Sequence, residues 1–350
     1  MSSQEVFDVT IIGGGPAGLY AAFYSGLRGM KVKLIEAQPH LGGKVHIYPE
    51  KLVWDVGGLT PTTGSRLAEQ LIQQGLTFHP TVILGQKVER IAQGADGSFI
   101  LNTSQGSHVS KTIIMATGSG IVQPQKIKLR GADRFEVSNL HYTVKRLDRF
   151  KGKRILISGG GNSAVDWASE LQSFAQHITL VYRKTELAAH EAQVERLVNK
   201  GNVSFRPEAR VSHLQSEDGE FIQQVELTNM STGETEYCEV DEVIVNHGYE
   251  RDASLLEKSE LVVEGVEDGV IRGNAYSESS VPGLYAAGDV LRHEGKIHLL
   301  AGAFHDAVHA VNRAKTFIDP KAEQVAMVSS HNERLTEKNR EVINRTIKNQ

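Results

Sequence analysis

With 350 residues, 40% of them apolar and 34 of them glycine, the chain is long enough for two or three domains of ordinary α/β composition. Its 38 basic and 42 acidic side chains leave a formal charge of −4, which argues against a nucleic-acid binder, whose domain is normally distinctly basic. No apolar run is long enough to span a bilayer, and the polar Met1–Phe7 segment leaves no room for a signal peptide, so a soluble cytoplasmic protein is expected. The single cysteine, Cys238, excludes an intrachain disulfide and a Cys-x-x-Cys electron relay. His305 and His309 stand one helical turn apart but outside a His-Glu-x-x-His arrangement, so no metal site is expected.

Asp8–Ile12 is a short run rich in β-branched residues and reads as a buried parallel strand. Gly13-Gly14-Gly15-Pro16-Ala17-Gly18 follows at once, then Ala17–Leu27 reads as a helix, and Lys31–Ile35 as a second strand closed by Glu36. Each glycine has a physical task. Gly13 permits the tight turn, Gly15 lets the backbone approach a pyrophosphate, and Gly18 lets helix and strand pack closely. The anion then sits at the helix N-terminus, where free N–H groups and the helix dipole favour it. Glu36 stands where a carboxylate accepts hydrogen bonds from a ribose.

Residues 81–115 are strand-rich, with turn signals at Gly94–Gly97 and Gln105-Gly106. A second glycine signature begins in mid-chain. Arg154–Ser158 reads as a strand, Gly159-Gly160-Gly161-Asn162-Ser163-Ala164 as the turn, Ala164–Phe174 as a helix and His177–Tyr182 as the next strand. Ala164 occupies the third small-residue position of the fingerprint. No acid follows this strand; Arg183-Lys184 does, and a basic pair there neutralises a 2′-phosphate, which points to NADPH. Another β-rich stretch, Val203–Val245, occupies the place in this half that residues 81–115 occupy in the first. Cys238 lies in it and reads as an inert structural thiol.

Val281–Val290 is a short strand ending in Gly288-Asp289, and Ile113–Gly118 is another strand running into glycine. With both glycine signatures, these segments resemble two-dinucleotide-binding flavoprotein reductases over essentially the whole chain. The resemblance implies FAD at the first signature, with Asp289 against the ribityl chain and NADP(H) at the second. The fold class it implies is α/β, two Rossmann-like dinucleotide-binding domains with the NADPH domain inserted in the FAD domain. The expected boundaries are residues 1–120 and 249–320 for the FAD domain, 121–248 for the NADPH domain and 321–350 for a C-terminal tail covering the flavin.

Thioredoxin reductase of the bacterial type has this architecture, but its dithiol is absent here; the matching stretch reads Val137–Thr143. Leu41–Lys51, containing Tyr48-Pro49-Glu50-Lys51, and the following Trp54–Gly58 instead resemble the thioredoxin-reductase-like type of ferredoxin–NADP reductase. That resemblance implies that Tyr48 stacks on the isoalloxazine ring and that Lys44, usually glutamine in relatives, contacts the flavin. It also places Val88 near the adenine, Val122 near the flavin at the crossover, and Lys296–His298 at a helix start near the ring's pyrimidine end. Relatives carry a His-Ser-Thr triplet in the tail, its histidine covering the flavin of the other subunit. Here the matching run puts Val328 in that place and Ser330 at the end of the triplet, with His331 three residues beyond Val328. Glu333–Gln350 reads as an exposed helix or frayed end.

The implied activity is transfer of electrons from NADPH through FAD to ferredoxin or flavodoxin in a homodimer. The cofactors carry the chemistry, so no side chain is named as a catalytic acid or base. Two other readings stay open on the residues alone: an NADPH oxidase or quinone-type reductase, and a non-enzymatic redox-sensing flavoprotein.

Overall fold

The computed structural model describes residues 5–120, 123–198, 201–249, 252–267 and 269–348. The chain divides into two compact units, one made of residues 1–122 and 251–350 and the other of residues 123–250.

The first unit opens with β1 (Val6–Ile12), α1 (Pro16–Leu27), β2 (Val32–Ile35) and α2 (Gly64–Gly75), followed by β3 (Thr81–Ile83), β4 (Val88–Gln93), β5 (Phe99–Thr103) and β6 (Gly106–Met115). The strands order as β3-β2-β1-β6-β5-β4, parallel from β3 to β6 and antiparallel beyond. Alternate residues serve opposite faces, as the pleat demands. Val9, Ile11, Leu34 and Ile114 pack with α1 in one core, whereas Ile12, Ile35, Ile113 and Met115 pack with Val88, Phe99 and Leu101 in the other. These parallel strands are buried on both faces, so even their polar side chains are enclosed: Thr10 of β1 is 0% exposed and Lys33 of β2 7%. In register, Ile12 stands beside both Ile35 and Met115, so three strands end level where the first glycine turn begins.

The second unit contains β7 (Leu140–His141), β8 (Arg154–Ser158), α3 (Asn162–Leu171), β9 (His177–Val181), α4 (Glu191–Val198) and β10 (Val203–Arg206). Then come β11 (Ala209–Gln215), β12 (Gln224–Asn229), β13 (Thr235–Glu239) and β14 (Glu242–Val245). A five-stranded parallel sheet orders as β10-β9-β8-β14-β7, and β11-β12-β13 form a separate antiparallel sheet. Chain order runs outward from β8 to β10 on one side and resumes at β14 on the other, so the order reverses between β8 and β14. Trp167 is the largest buried side chain of α3, 1% exposed.

The chain then returns to the first unit. β15 (Leu284–Ala286) adds to β6 in parallel, with Ala286 beside Met115, and α5 (Leu300–Ile318) lies against α1. The expected helix start at Lys296–His298 is not found: α5 begins at Leu300. The Lys296 ammonium is instead drawn inward to pair with the buried carboxylate of Asp306, which holds residues 296–298 in a loop. The tail folds back along the C-terminal end of α1. Ala326 N–H donates to the Tyr24 hydroxyl at 3.3 Å and the Asn332 amide to the Leu27 carbonyl at 3.3 Å, before α6 (Thr336–Lys348).

Where the chain re-enters this unit, Asp252 accepts from Lys87 Nζ at 2.6 Å. Burial raises the Asp252 pKa, but Lys87 and the hydroxyl and N–H of Ser254 outweigh it and hold the group at about 2, against an ordinary 3.8. The carboxylate therefore adds stability above pH 3.8 that is lost as pH falls toward 2. Lys87 is 38% exposed, so solvent screening limits the pair to about 1 kcal/mol. Lys87→Ala should lower stability by that amount at neutral pH, and the difference from wild type should close in acid. Acid-unfolding curves followed by circular dichroism check it; a difference that persists at the acid end would assign the effect to packing of the lysine stem.

Candidate nucleotide sites

The turn after β1 depends on glycine at two points. Gly13 has φ +108°, and a Cβ there would lie 2.4 Å from the Ala116 carbonyl oxygen; a Cβ on Gly18 would lie 1.8 Å from the Gly13 oxygen. Gly15 differs. A Cβ on it would meet nothing of the protein nearer than 3.8 Å, so its outer face is open space. Among the described residues no side chain caps the N-terminus of α1, Pro16 fills its first turn and no acid sits there. By contrast α2 is capped by Thr63. Uncapped N–H groups beside open space, with no carboxylate on the dipole, fit a diphosphate.

Glu36 sits at the rim of this turn. One carboxylate oxygen accepts from Gly14 N–H at 2.6 Å and the other from Gln38 N–H at 2.8 Å. These bonds fix the carboxylate and leave lone pairs for a diol. Three distant segments converge nearby: Lys44 Nζ donates to the Ser119 hydroxyl at 2.8 Å and to Asp289 at 3.1 Å. Gly288 N–H is held at 3.0 Å by buried Asp306, so the Gly-Asp turn rests on the Lys296–Asp306 pair. An open pocket runs along Thr117, Ser119, Asp252, Asp289 and His298. Tyr48 ends the short helical turn Gly43–Ile47, with Lys51 Nζ 5.7 Å from its ring centroid.

Not every expected residue joins them. Val88 is 4% exposed and its side chain is packed in the core, so it offers a ligand only its main chain. Val122 lies outside the described residues. Ala17 is 7% exposed and supports the turn rather than facing outward. Val328 is 62% exposed, and with Ser330 it lies in a tail anchored at the end of α1 remote from the glycine turn. Within one chain the tail is not brought to Tyr48. Ser119 and Asp306 were missed in the sequence, and Lys296 was assigned there only through its backbone, since no local pattern marks a residue that meets its partner through the fold.

The second turn repeats the first in its geometry. A Cβ on Gly159 would come within 2.4 Å of the Asn246 carbonyl oxygen, whereas Gly161 has nothing within 4 Å. α3 starts at Asn162 without a side-chain cap and without an acid in its first turn; Ser163 follows and Ala164 is buried at 1%. Residues beyond β9 fold back over the turn, Ala188 N–H donating to the Gly160 carbonyl at 2.7 Å. Arg183 and Lys184 are exposed and have no ion-pair partner among the described residues. Two uncompensated cations beside an open anion cradle fit a second phosphate group.

Cys238 pairs with Val225 in the antiparallel sheet, and burial pushes its thiol up, away from the reactive thiolate. His305 and His309 bring Nε2 atoms to 3.2 Å, but no three metal-ligating side chains cluster among the described residues. Nor is any helix among them long and apolar enough to cross a membrane.

Two glycine turns at the carboxyl ends of parallel sheets, one followed by an acid and the other by a basic pair, define a two-nucleotide oxidoreductase. The chain belongs to the pyridine nucleotide-disulphide oxidoreductase family, whose model matches residues 7–314. It is 61% identical over 344 residues to ferredoxin–NADP reductase 1 of Bacillus licheniformis, covering 98% of this chain and 99% of the relative. To ferredoxin–NADP reductase 1 of Bacillus cytotoxicus it is 58% identical over 348 residues, covering 99% of this chain and 100% of the relative. Among solved structures, thioredoxin reductase of T. acidophilum matches with TM-score 0.74 and 27% identity, over 89% of this chain and 99% of that one.

Proposed function

We propose that this chain is a ferredoxin–NADP reductase that binds FAD at the first glycine turn and NADP(H) at the second, and passes electrons to ferredoxin or flavodoxin. The observation that carries the reading is the contrast between Glu36 after one turn and, after the other, Arg183-Lys184 with no ion-pair partner among the described residues, in a chain with one cysteine. FAD bound there would supply acceptance of a hydride from NADPH and release of single electrons to a carrier. The chain's own residues bind and orient. The α1 N–H groups hold the diphosphate, Glu36 the ribose hydroxyls, Asp289 and Lys44 the ribityl segment, and Tyr48 covers the ring. Arg183 and Lys184 select the 2′-phosphate. A single half-buried thiol leaves no internal disulfide to take the electrons, so they depart to a separate carrier.

NADPH-dependent reduction of cytochrome c that requires added ferredoxin or flavodoxin tests this. Rapid oxygen consumption without a carrier would favour an oxidase instead, a reading that the relatives' names do not favour.

The tail supplies its own test. The tail is anchored at the far end of α1, and the family resemblance puts it over the flavin of a second copy, so the active form is read as a homodimer. Valine covers less of a ring than imidazole does. Val328→His should therefore slow flavin reduction by NADPH, and removal of residues 326–350 should change it only modestly, in stopped-flow absorbance. An unchanged rate in Val328→His with a large loss in His331→Ala would place His331, not Val328, over the ring.

A further inference from the structure

In the second unit the sheet order reverses between β8 and β14, and ligands of open α/β sheets lie across the carboxyl ends at such a point, with one half on each side. Arg183 and Lys184, beyond β9, stand on the adenosine side. The other side is formed by Asn246-His247, directly after β14. The Asn246 carbonyl crowds the position of a Gly159 Cβ at 2.4 Å, so this strand end abuts the glycine turn. His247 Nε2 shares a 2.8 Å hydrogen bond with the hydroxyl of Ser158, the last residue of β8, which fixes the imidazole beside the turn. His247 as a whole remains exposed to solvent.

We infer that His247 is a nucleotide-positioning residue that takes the diphosphate from its nicotinamide side, and that binding there is coupled to proton uptake by the imidazole. The inference rests on the nucleotide reading of the second turn.

Without ligand, burial lowers the His247 pKa and the Arg183 guanidinium lowers it further, so the ring is neutral at neutral pH. The groups shown to act on it are the Ser158 hydroxyl at the end of β8 and the Arg183 guanidinium beyond β9. Glu242, at the far end of its own strand, is already bonded to Arg149 and His141. A diphosphate against the ring favours the charged form and raises the pKa. Affinity is then highest in acid and falls as pH rises from the free-state pKa through the bound-state one.

Titration calorimetry of the full chain with NADP+, in buffers of different ionisation heat between about pH 6 and 8, reads the coupling. Wild type should take up a fraction of a proton more than His247→Asn. That variant should bind both NADP+ and NAD+ about tenfold more weakly at the acid end, because the diphosphate is common to both, and the gap should close toward the alkaline end. His247→Arg, permanently charged, should restore affinity and flatten its pH dependence. The 2′-phosphate titrates near about pH 6 itself, but it cancels between wild type and variant. Equal proton uptake in wild type and His247→Asn would overturn the inference. Failure of wild type to bind NADP+ at all would instead overturn the nucleotide reading.

Discussion

Replacing Arg183 and Lys184 together by alanine should raise the Kd for NADP+ about a hundredfold while leaving NAD+ nearly unchanged. A charge-assisted hydrogen bond to phosphate contributes about 1.5–3 kcal/mol where water is partly excluded. Both side chains are exposed, so the low end applies to each, and two such contacts give about a hundredfold. Neither has an acidic neighbour to leave stranded among the described residues, so the substitution should cost little stability. Calorimetric binding of the two nucleotides to the double variant decides it. Equal losses for NADP+ and NAD+ would show that the pair orders the loop over the glycine turn instead of reading the 2′-phosphate.

The second large effect separates two glycines that look alike in the motif. Gly18→Ala should yield a chain that neither folds its first unit properly nor holds FAD, because its Cβ would be forced to 1.8 Å from the Gly13 oxygen. That contact is with main chain, so relief requires moving α1 away from β1, and overpacking of this kind costs about 1–3 kcal/mol or more. Gly15→Ala should behave differently. Its methyl meets nothing in the chain closer than 3.8 Å, so the fold and its melting temperature should hold while FAD affinity falls steeply. Flavin absorbance after reconstitution, read beside circular dichroism, tells the two apart. Gly15→Ala protein that retains FAD at wild-type affinity would remove the diphosphate from this turn. Glu36→Ala belongs between them: losing the acceptor of Gly14 and Gln38 N–H should weaken FAD by roughly tenfold to a hundredfold, since hydrogen bonds to a charged group contribute about 1.5–3 kcal/mol.

The two reading frames for nucleotide binding were legible because their constraints are local. A strand, a turn free of Cβ atoms and a helix must follow within a few residues, and the acid or basic pair must stand at the end of the next strand. Gly13, Gly15, Gly18, Glu36 and Arg183 could thus be assigned tasks from spacing alone, and a lone cysteine ruled out thiol relay by chemistry. The β-branched residues of Asp8–Ile12 likewise marked β1 as a buried parallel strand.

Other features depend on which strands lie side by side, and spacing along the chain carries no record of that. Lys44 meets Ser119 and Asp289 across separations of 75 and 245 residues, only because β6 lies between β1 and β15. Val88 points into the core because its face of the pleat is the inner one, and Lys296 leaves the expected helix because a buried carboxylate on α5 draws it in. His247 reaches Ser158 because the sheet order reverses between their strands. A sequence determines a turn when the atoms that collide are neighbours in the chain; it leaves a contact to the tertiary structure when they are brought together by strand order and burial.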